Sequence, residues 1–313
     1  MVRCLRYTPD MKSDWDKFVQ SSRTPLFMFE RNFIEYHSDR FEDSSLVLLD
    51  DTGIIALLPA NKVDNKIMSH GGLTYGGLIF AKKFSAEKIV DAAGAMIKTL
   101  QGWGIEALQY KSVPHIFHDQ PCEEAIYALT RHGALISRRD LSSVVKLSDR
   151  PKFSTLRKRK IKTALSSGIE IISDTNFAEF HRILSVSLSK HGVLPVHSIE
   201  ELTYLKSKFP NNIELLLARK GEKIVAGILL FIFRSVVHTQ YISVSDDGAN
   251  IGALDLLISE AIDSFEEKNF QYFSFGISTE DNGEFLNAGL IRQKEGFGGR
   301  GIVIDTYEVP LGG

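Results

Sequence analysis

Two rhythms of apolar residues alternate along this chain, one with three- and four-residue spacing and one with two-residue spacing. The first predicts helices. Residues 11–20 place Trp15, Phe18 and Val19 on one side, with Asp14 as a candidate N-cap. Phe27–His37 spaces Phe29, Phe33 and Tyr36 helically. Ser85–Leu100 has a serine cap and a stripe of Ile89, Ala92, Ala93, Met96 and Leu100. Glu123–Thr130, Pro151–Ser166 (proline at its first position, Gly168 beyond its end), Asn176–Ser189 and Gly252–Phe265 complete the long helices. Ser198 with Glu201 reads as a capping box opening another. The second rhythm predicts strands at Leu46–Leu49, Ile54–Ala60, Ile105–Tyr110, Ala134–Ile136, Ser143–Leu147 and Ile169–Ile172. Asn212–Arg219, Lys223–Phe233 and Val236–Val244 read as an antiparallel meander, followed by strands at Phe270–Ile277 and Gly301–Tyr307.

The order of elements occurs twice. Strand, turn, strand, helix Ser85–Leu100 and strand Ile105–Tyr110 in the first half answer to meander, helix Gly252–Phe265 and strand Phe270–Phe275 in the second. The expectation is an α/β (α+β) chain of two similar domains, residues 1–150 and 151–313, each with a mixed, largely antiparallel sheet flanked by helices.

Composition narrows the class. Of 313 residues, 43% are hydrophobic and 24% charged, a globular balance, and no apolar run approaches a membrane span. Met1–Arg6 lacks the apolar core of a signal peptide. Two cysteines, Cys4 and Cys122, are too few for a disulfide framework or a zinc site, and no metal site is expected. A cytoplasmic protein is the expectation. The net charge of −2 gives no global nucleic-acid signature, yet Arg150, Lys152, Arg157, Lys158, Arg159, Lys160 and Lys162 follow one another without an intervening acid. That run is either a solvated helix face or a site for phosphates.

Chemistry concentrates in residues 283–300, polar and glycine-rich between two strands. It holds Asn287, Arg292, Lys294 and Arg300. The strand Val236–Val244 carries His238 and Gln240, placed by alternation on one face, and Tyr241 on the other. His238 or Tyr241 suits either a proton-transfer role or a place as a satisfied core residue, with Glu280 and Asp281 as alternative bases. The loop Lys190–His197 offers His191 and His197 as substrate contacts, without the carboxylate a metal site would want. A first-half group comprises Ser69, His70, Thr74 and Tyr75 on the glycine-rich segment, with Tyr110, Lys111 and His115 at a strand end. No Ser/His/Asp or Cys/His pattern stands out, so direct transfer without a covalent intermediate is expected.

The meander, helix and strand order resembles the GNAT acyltransferase fold. Gln293-Lys294-Glu295-Gly296-Phe297-Gly298-Gly299 resembles the Phe-Lys-x-Gly-Phe-Gly-Gly segment of the Fem-type transferases, which carry two GNAT-like domains in tandem and add amino acids to peptidoglycan precursors. Arg157–Ala164 followed by Gly168-Ile169 resembles the helix opening their second domain. The resemblance implies an acyltransferase. Lys294 would stabilise the developing negative charge as a free cation on a glycine-rich loop, and the first domain, with Ser69, His70, Tyr75 and Lys111, would take the acceptor. It also implies acyl-CoA as donor, held at Gly248, Asn250 and Gly252 in the turn before the central helix. That turn lacks the usual basic or amide residue and carries Asp246 and Asp247, which repel phosphate. The Fem-type phenylalanine before the motif lysine is Gln293 here. The reading is an N-acyltransferase acting on the amine of a phosphate-bearing small molecule, a sugar nucleotide or cell-envelope precursor, with acyl-CoA slightly preferred as donor. The alternatives are a Fem-like transferase using charged tRNA and a non-catalytic binding protein on the same fold.

Overall fold

The computed structural model describes residues 2–190 and 192–312. Two compact units divide the chain: residues 1–140 with 303–313, and residues 141–302. The division falls ten residues before the expected 150, and the C-terminal strand returns to the first unit. Both switches occur inside strands, so the chain passes between units without a linker.

In the first unit, β1 (Arg3–Arg6), β2 (Leu46–Asp50), β3 (Gly53–Leu58) and β5 (Ile79–Phe80) form one sheet. β2 and β3 meet through the Asp50–Gly53 turn expected from its Asp-Thr-Gly chemistry. Here β4 (Lys66–Met68) pairs in parallel with β6 (Ala107–Lys111), and β6 pairs antiparallel with the C-terminal strand β13 (Arg300–Pro310). Between β4 and β6 the helix α2 (Ala86–Gly102) crosses, capped by Ser85 and burying Ile89, Ala92, Ala93, Met96 and Leu100. The helix α1 (Lys12–Ser21) starts from Met11 rather than Asp14, which lies in its first turn. Phe27–His37 is not one helix but three short turns, with Glu30 extended (φ −74°, ψ 148°) between the first two. α3 (Glu124–Arg131) follows.

The two strands expected at 134–136 and 143–147 are a single strand, β7 (Leu135–Lys146). Its charged middle stays extended because the charges find partners: Arg139 makes a two-pronged pair with Asp305, and Arg138 with Asp140.

The second unit begins with α4 (Thr155–Ser166), four residues after the proline expected at its start. Ser154 takes the cap instead, accepting from the Arg157 amide at 3.3 Å. β8 (Ile169–Asp174), α5 (Phe177–Ser189) and α6 (Ile199–Lys208) follow, the last with the expected Ser198–Glu201 capping box. The meander is present as β9 (Ile213–Lys220), β10 (Lys223–Ile232) and β11 (Val236–Val244). A short α7 (Asp246–Ile251) and the long α8 (Ala253–Glu267) then cross to β12 (Tyr272–Ile277), which pairs in parallel with β11 and antiparallel with β7. The sheet order is β8-β9-β10-β11-β12-β7. Last comes α9 (Ala288–Gly296).

Helices cover both faces of this sheet. Ala226, Ile228 and Leu230 of β10 pack into the core that α8 fills with Leu257, Ala261 and Ile262. Gly227 points the other way, toward α5. A Cβ there would meet Phe180 at 2.6 Å and Leu217 at 2.9 Å, so the glycine lets Phe180 lie on the sheet. Replacing it with valine (Gly227→Val) should therefore destabilise the chain by about 1–3 kcal/mol through overpacking. Urea unfolding would show this as a lower midpoint at unchanged slope, and an unchanged midpoint would mean that α5 yields freely.

Candidate active site

The parallel pair β11–β12 is short. Register runs Val236↔Tyr272, Val237↔Phe273 and His238↔Ser274, and no pairing follows although β11 continues to Val244. The two strands part after His238 and Ser274, which leaves a slot between their C-terminal ends.

A bulge shapes one lip. Against β10, His238 pairs with Phe231 and Thr239 with Leu230, but Tyr241 pairs with Leu229, leaving Gln240 as the extra residue. Paired residues share a face, so the bulge brings Tyr241 onto the same face as His238. The sequence expectation of opposite faces is corrected here, since simple alternation counts no extra residue. This is the α5 face, the one to which Gly227 turns.

The other lip carries the lysine. Lys294 sits in the last turn of α9, only 4% exposed, and its Nζ donates to the carbonyl oxygens of Gly276 at 3.0 Å and Ile277 at 2.5 Å. It is not the free cation on a loop that the motif suggested; the helix formed because Asn287 caps it, accepting from the Leu290 amide at 2.9 Å. Burial pulls the Lys294 pKa down from 10.5 to about 8. His238, 6% exposed, has Nδ1 3.1 Å from Ser274 Oγ. Burial, and next the Lys294 charge, lowers its pKa to about 4, so it is a neutral imidazole at pH 7.

Tyr241 Oη lies 2.7 Å from His197 Nδ1, with the two rings edge to face. Burial raises the phenol pKa, and the backbone amides of His197 and Val196 partly offset this. The His197 carbonyl accepts from His181 Nε2 at 3.1 Å, and Ser185 Oγ lies 3.3 Å from His181 Nδ1. Sequence reasoning missed Ser274, His181 and Ser185. Each is an ordinary polar residue in an apolar element, and only pairing across strands and helices gives it a role.

Other expected site residues have different partners. Glu280 is exposed and accepts from the Asn287 side chain at 2.7 Å, so Asn287 is engaged at both ends of its amide. Asp281, also exposed, lies in a turn at φ +48°. Arg292 and Arg300 are exposed and donate to nearby carbonyls, of Ala288 and Gly299. His191 lies outside the described residues. In the first unit, Ser69 Oγ accepts from the Lys111 amide at 2.7 Å, and Lys111 Nζ donates to the carbonyls of His70 at 3.2 Å and Leu73 at 2.8 Å. Burial lowers the pKa of Lys111 to about 8 and that of His70, helped by His37, to about 3. Tyr75 is buried against Phe117, and Tyr110 Oη accepts from the Leu78 amide. Ser69, His70, Tyr75 and Lys111 thus fasten the glycine-rich segment within their own unit.

Gly248 and Gly252 have packing reasons. A Cβ at Gly248 would come 2.3 Å from the Val225 carbonyl oxygen. Gly252 has φ +75° and would come 2.5 Å from the Lys160 carbonyl oxygen of α4. Asn250 is exposed on α7, whose first turn is capped by Ser245. Asp246 and Asp247 pair with Lys190 and Lys223. Just inside α8, Asp255 is 4% exposed and pairs with Arg157 at 2.5 Å and Lys160 at 3.9 Å. A carboxylate of the chain itself occupies this helix start. Among the described residues, no group of His, Cys, Asp and Glu could hold a metal ion.

With this geometry in place, the comparisons define the class. Residues 154–282 match the Acetyltransferase (GNAT) domain family. No curated protein matches the sequence. Among solved structures, FemX superposes with a TM-score of 0.67 at 11% identity, covering 99% of this chain and 98% of that one. L-PGS from Bacillus licheniformis gives 0.62 at 9%, covering 96% and 90%. A tandem GNAT protein from the clavulanic acid biosynthesis pathway gives 0.53 at 10%, covering 100% and 99%. Residues 154–282 are thus a match to a GNAT acetyltransferase domain, and the chain as a whole has the fold of FemX. No described helix is long and apolar enough to cross a membrane.

The burial of His238 sets a pH dependence. Its folded pKa lies below the unfolded value of 6.5, so between pH 6.5 and 4 the unfolded chain binds the proton and the folded chain does not. Stability attributable to it is fully present above pH 6.5 and falls by about 1.4 kcal/mol per pH unit below it. Urea unfolding at pH 7 and pH 5 should show the loss, and His238→Asn should remove that share of it. An equal loss in the variant would show that His238 titrates normally.

Proposed function

We propose that the second unit transfers an acyl group to the amine of a small, phosphate-bearing acceptor, a sugar nucleotide or cell-envelope precursor, within the slot between β11 and β12. The observation that carries this reading is Lys294, a buried ammonium bound to the lip of a slot across which β11 and β12 no longer pair. An acyl carbonyl entering there would meet a fixed positive charge in poorly solvated surroundings, which favours the oxyanion of an acyl-transfer transition state. Lys294 remains mostly protonated at pH 7 with a pKa of about 8. Tyr241, bonded to His197, is the pair best placed on the same face to take the amine's proton. His238, with a pKa of about 4, is a weak base and serves to shape the wall.

The donor has two readings. Acyl-CoA is the general cosubstrate of GNAT domains. One observation favours the aminoacyl alternative suggested by the Fem-type motif. The start of α8, where the resemblance puts a CoA pyrophosphate, holds the Asp255 carboxylate with Arg157, and α4 lies against Gly252. An aminoacyl ester brings no pyrophosphate to that point.

Melting curves with acetyl-CoA, free CoA and charged tRNA separate the two, since a ligand of the folded state raises the Tm. Charged tRNA should shift the Tm and the CoA species should not; a shift with acetyl-CoA would return it as the donor. With the donor in hand, Lys294→Ala should lower kcat by about 10²–10³-fold while the donor still raises the variant's Tm. Full turnover in that variant would remove Lys294 from the chemistry.

A further inference from the structure

The basic run at 150–162 has no part in the slot. α4 lies on α8, which covers the face of the sheet opposite His238 and Tyr241. Six of the run's seven residues, all but Arg159, divide in two by what they touch. Arg150 pairs with Asp263 and Glu266, Arg157 and Lys160 with Asp255. Lys152, Lys158 and Lys162 are exposed and have no acidic partner among the described residues.

These three lysines rim one concavity. It has a volume of about 540 Å³ and lies between α4, α8 and the segment that leads into α4. Its floor is apolar: Pro151, Phe153, Ile161 and Leu165. On α4, positions 158, 161, 162 and 165 fall on one side, so lysine and aliphatic groups alternate across the same wall. Leu165 is 59% exposed, an aliphatic side chain left in water beside three unpaired ammonium groups. The α8 wall contributes Ser259 and Asp263, whose carboxylate is held by Arg150 at 2.5 Å.

We propose that this groove is a binding site for a lipid phosphate, the phosphate on Lys152, Lys158 and Lys162 and an aliphatic chain along Ile161 and Leu165. Charge complementarity selects the anion, and the exposed apolar floor selects what is attached to it. A nucleotide fits less well. Arg150 lies over the Phe153 ring at 4.9 Å, and the ring is already in an edge-to-face pair with Phe297 at 5.6 Å, so it is poorly available for stacking on a base. Because the site is on the far face of the sheet from the slot, it would anchor the protein to a lipid-bearing partner or surface rather than hold the reacting groups. It stands whether or not the donor reading above is right.

The test uses the full chain and isothermal titration with four probes: dihexanoyl phosphatidic acid below its micelle concentration, dihexanoyl phosphatidylcholine, inorganic phosphate and ADP. The expected result is binding of the phosphatidic acid about ten-fold tighter than inorganic phosphate, with no binding of the choline lipid. The double substitution Lys158→Glu, Lys162→Glu should weaken phosphatidic acid by about ten-fold or more, with a Tm equal to the parent's. Leu165→Ser should weaken phosphatidic acid and leave inorganic phosphate unchanged. Binding of ADP as tight as that of the lipid, insensitivity to the lysine changes, or no binding at all would each overturn the proposal.

Discussion

The parting of β11 from β12 after His238 and Ser274 is the constraint on which the second unit turns. A parallel pair that continued would satisfy its own backbone and leave nothing for a substrate. Here the pair stops, and two devices hold the lips open. The bulge at Gln240 turns one strand, and Lys294 binds the carbonyls of Gly276 and Ile277 on the other. The lysine answers two successive carbonyls where β12 leaves regular strand geometry at Gly276 (φ +74°), and it places a cation at the slot as a consequence. That contact is why the motif residue is buried rather than displayed.

The rest of the unit supports that opening from two sides. On the α5 face, the Tyr241–His197 bond ties the loop before α6 to the bulged strand, and His181 and Ser185 of α5 steady it from behind. On the other face, α8 spans the sheet and α4 closes over its first turn through Arg157, Asp255 and Gly252. A buried ion pair of this kind contributes modestly to stability, but it fixes where the helix begins and what can approach it. The first unit repeats the parallel pair and its crossover helix in β4, α2 and β6, yet its glycine-rich segment folds back onto β6 and is fastened by Ser69, Tyr110 and Lys111. The same layout thus gives an open slot in one unit and a fastened segment in the other.

Most of the fold was legible in the chain. Apolar periodicity marked α2, α5, the meander and α8, and the Ser198–Glu201 box marked α6. Polar chemistry that serves local structure could be read as well, because a cap or a hairpin turn involves residues a few positions apart. Three readings failed. The broken turns at 27–37 and the uninterrupted β7 have partners distant in sequence, Asp43 for Arg31 and Asp305 for Arg139, and the late start of α4 follows from Ser154 taking the cap in place of the proline.

The sequence by itself determined the class: the doubled element order, the motif around Lys294 and the basic run at 150–162 are all local patterns. Tertiary structure decided what those residues do. It buried Lys294 and lowered its pKa, moved Tyr241 onto the face of His238 through one extra residue, and set Asp255 at the helix start where a phosphate was expected. It also separated Arg150, Arg157 and Lys160 of the basic run, which pair with acids, from Lys152, Lys158 and Lys162. Burial, register and cross-strand partners are properties of contacts between distant segments, and no window of sequence contains them.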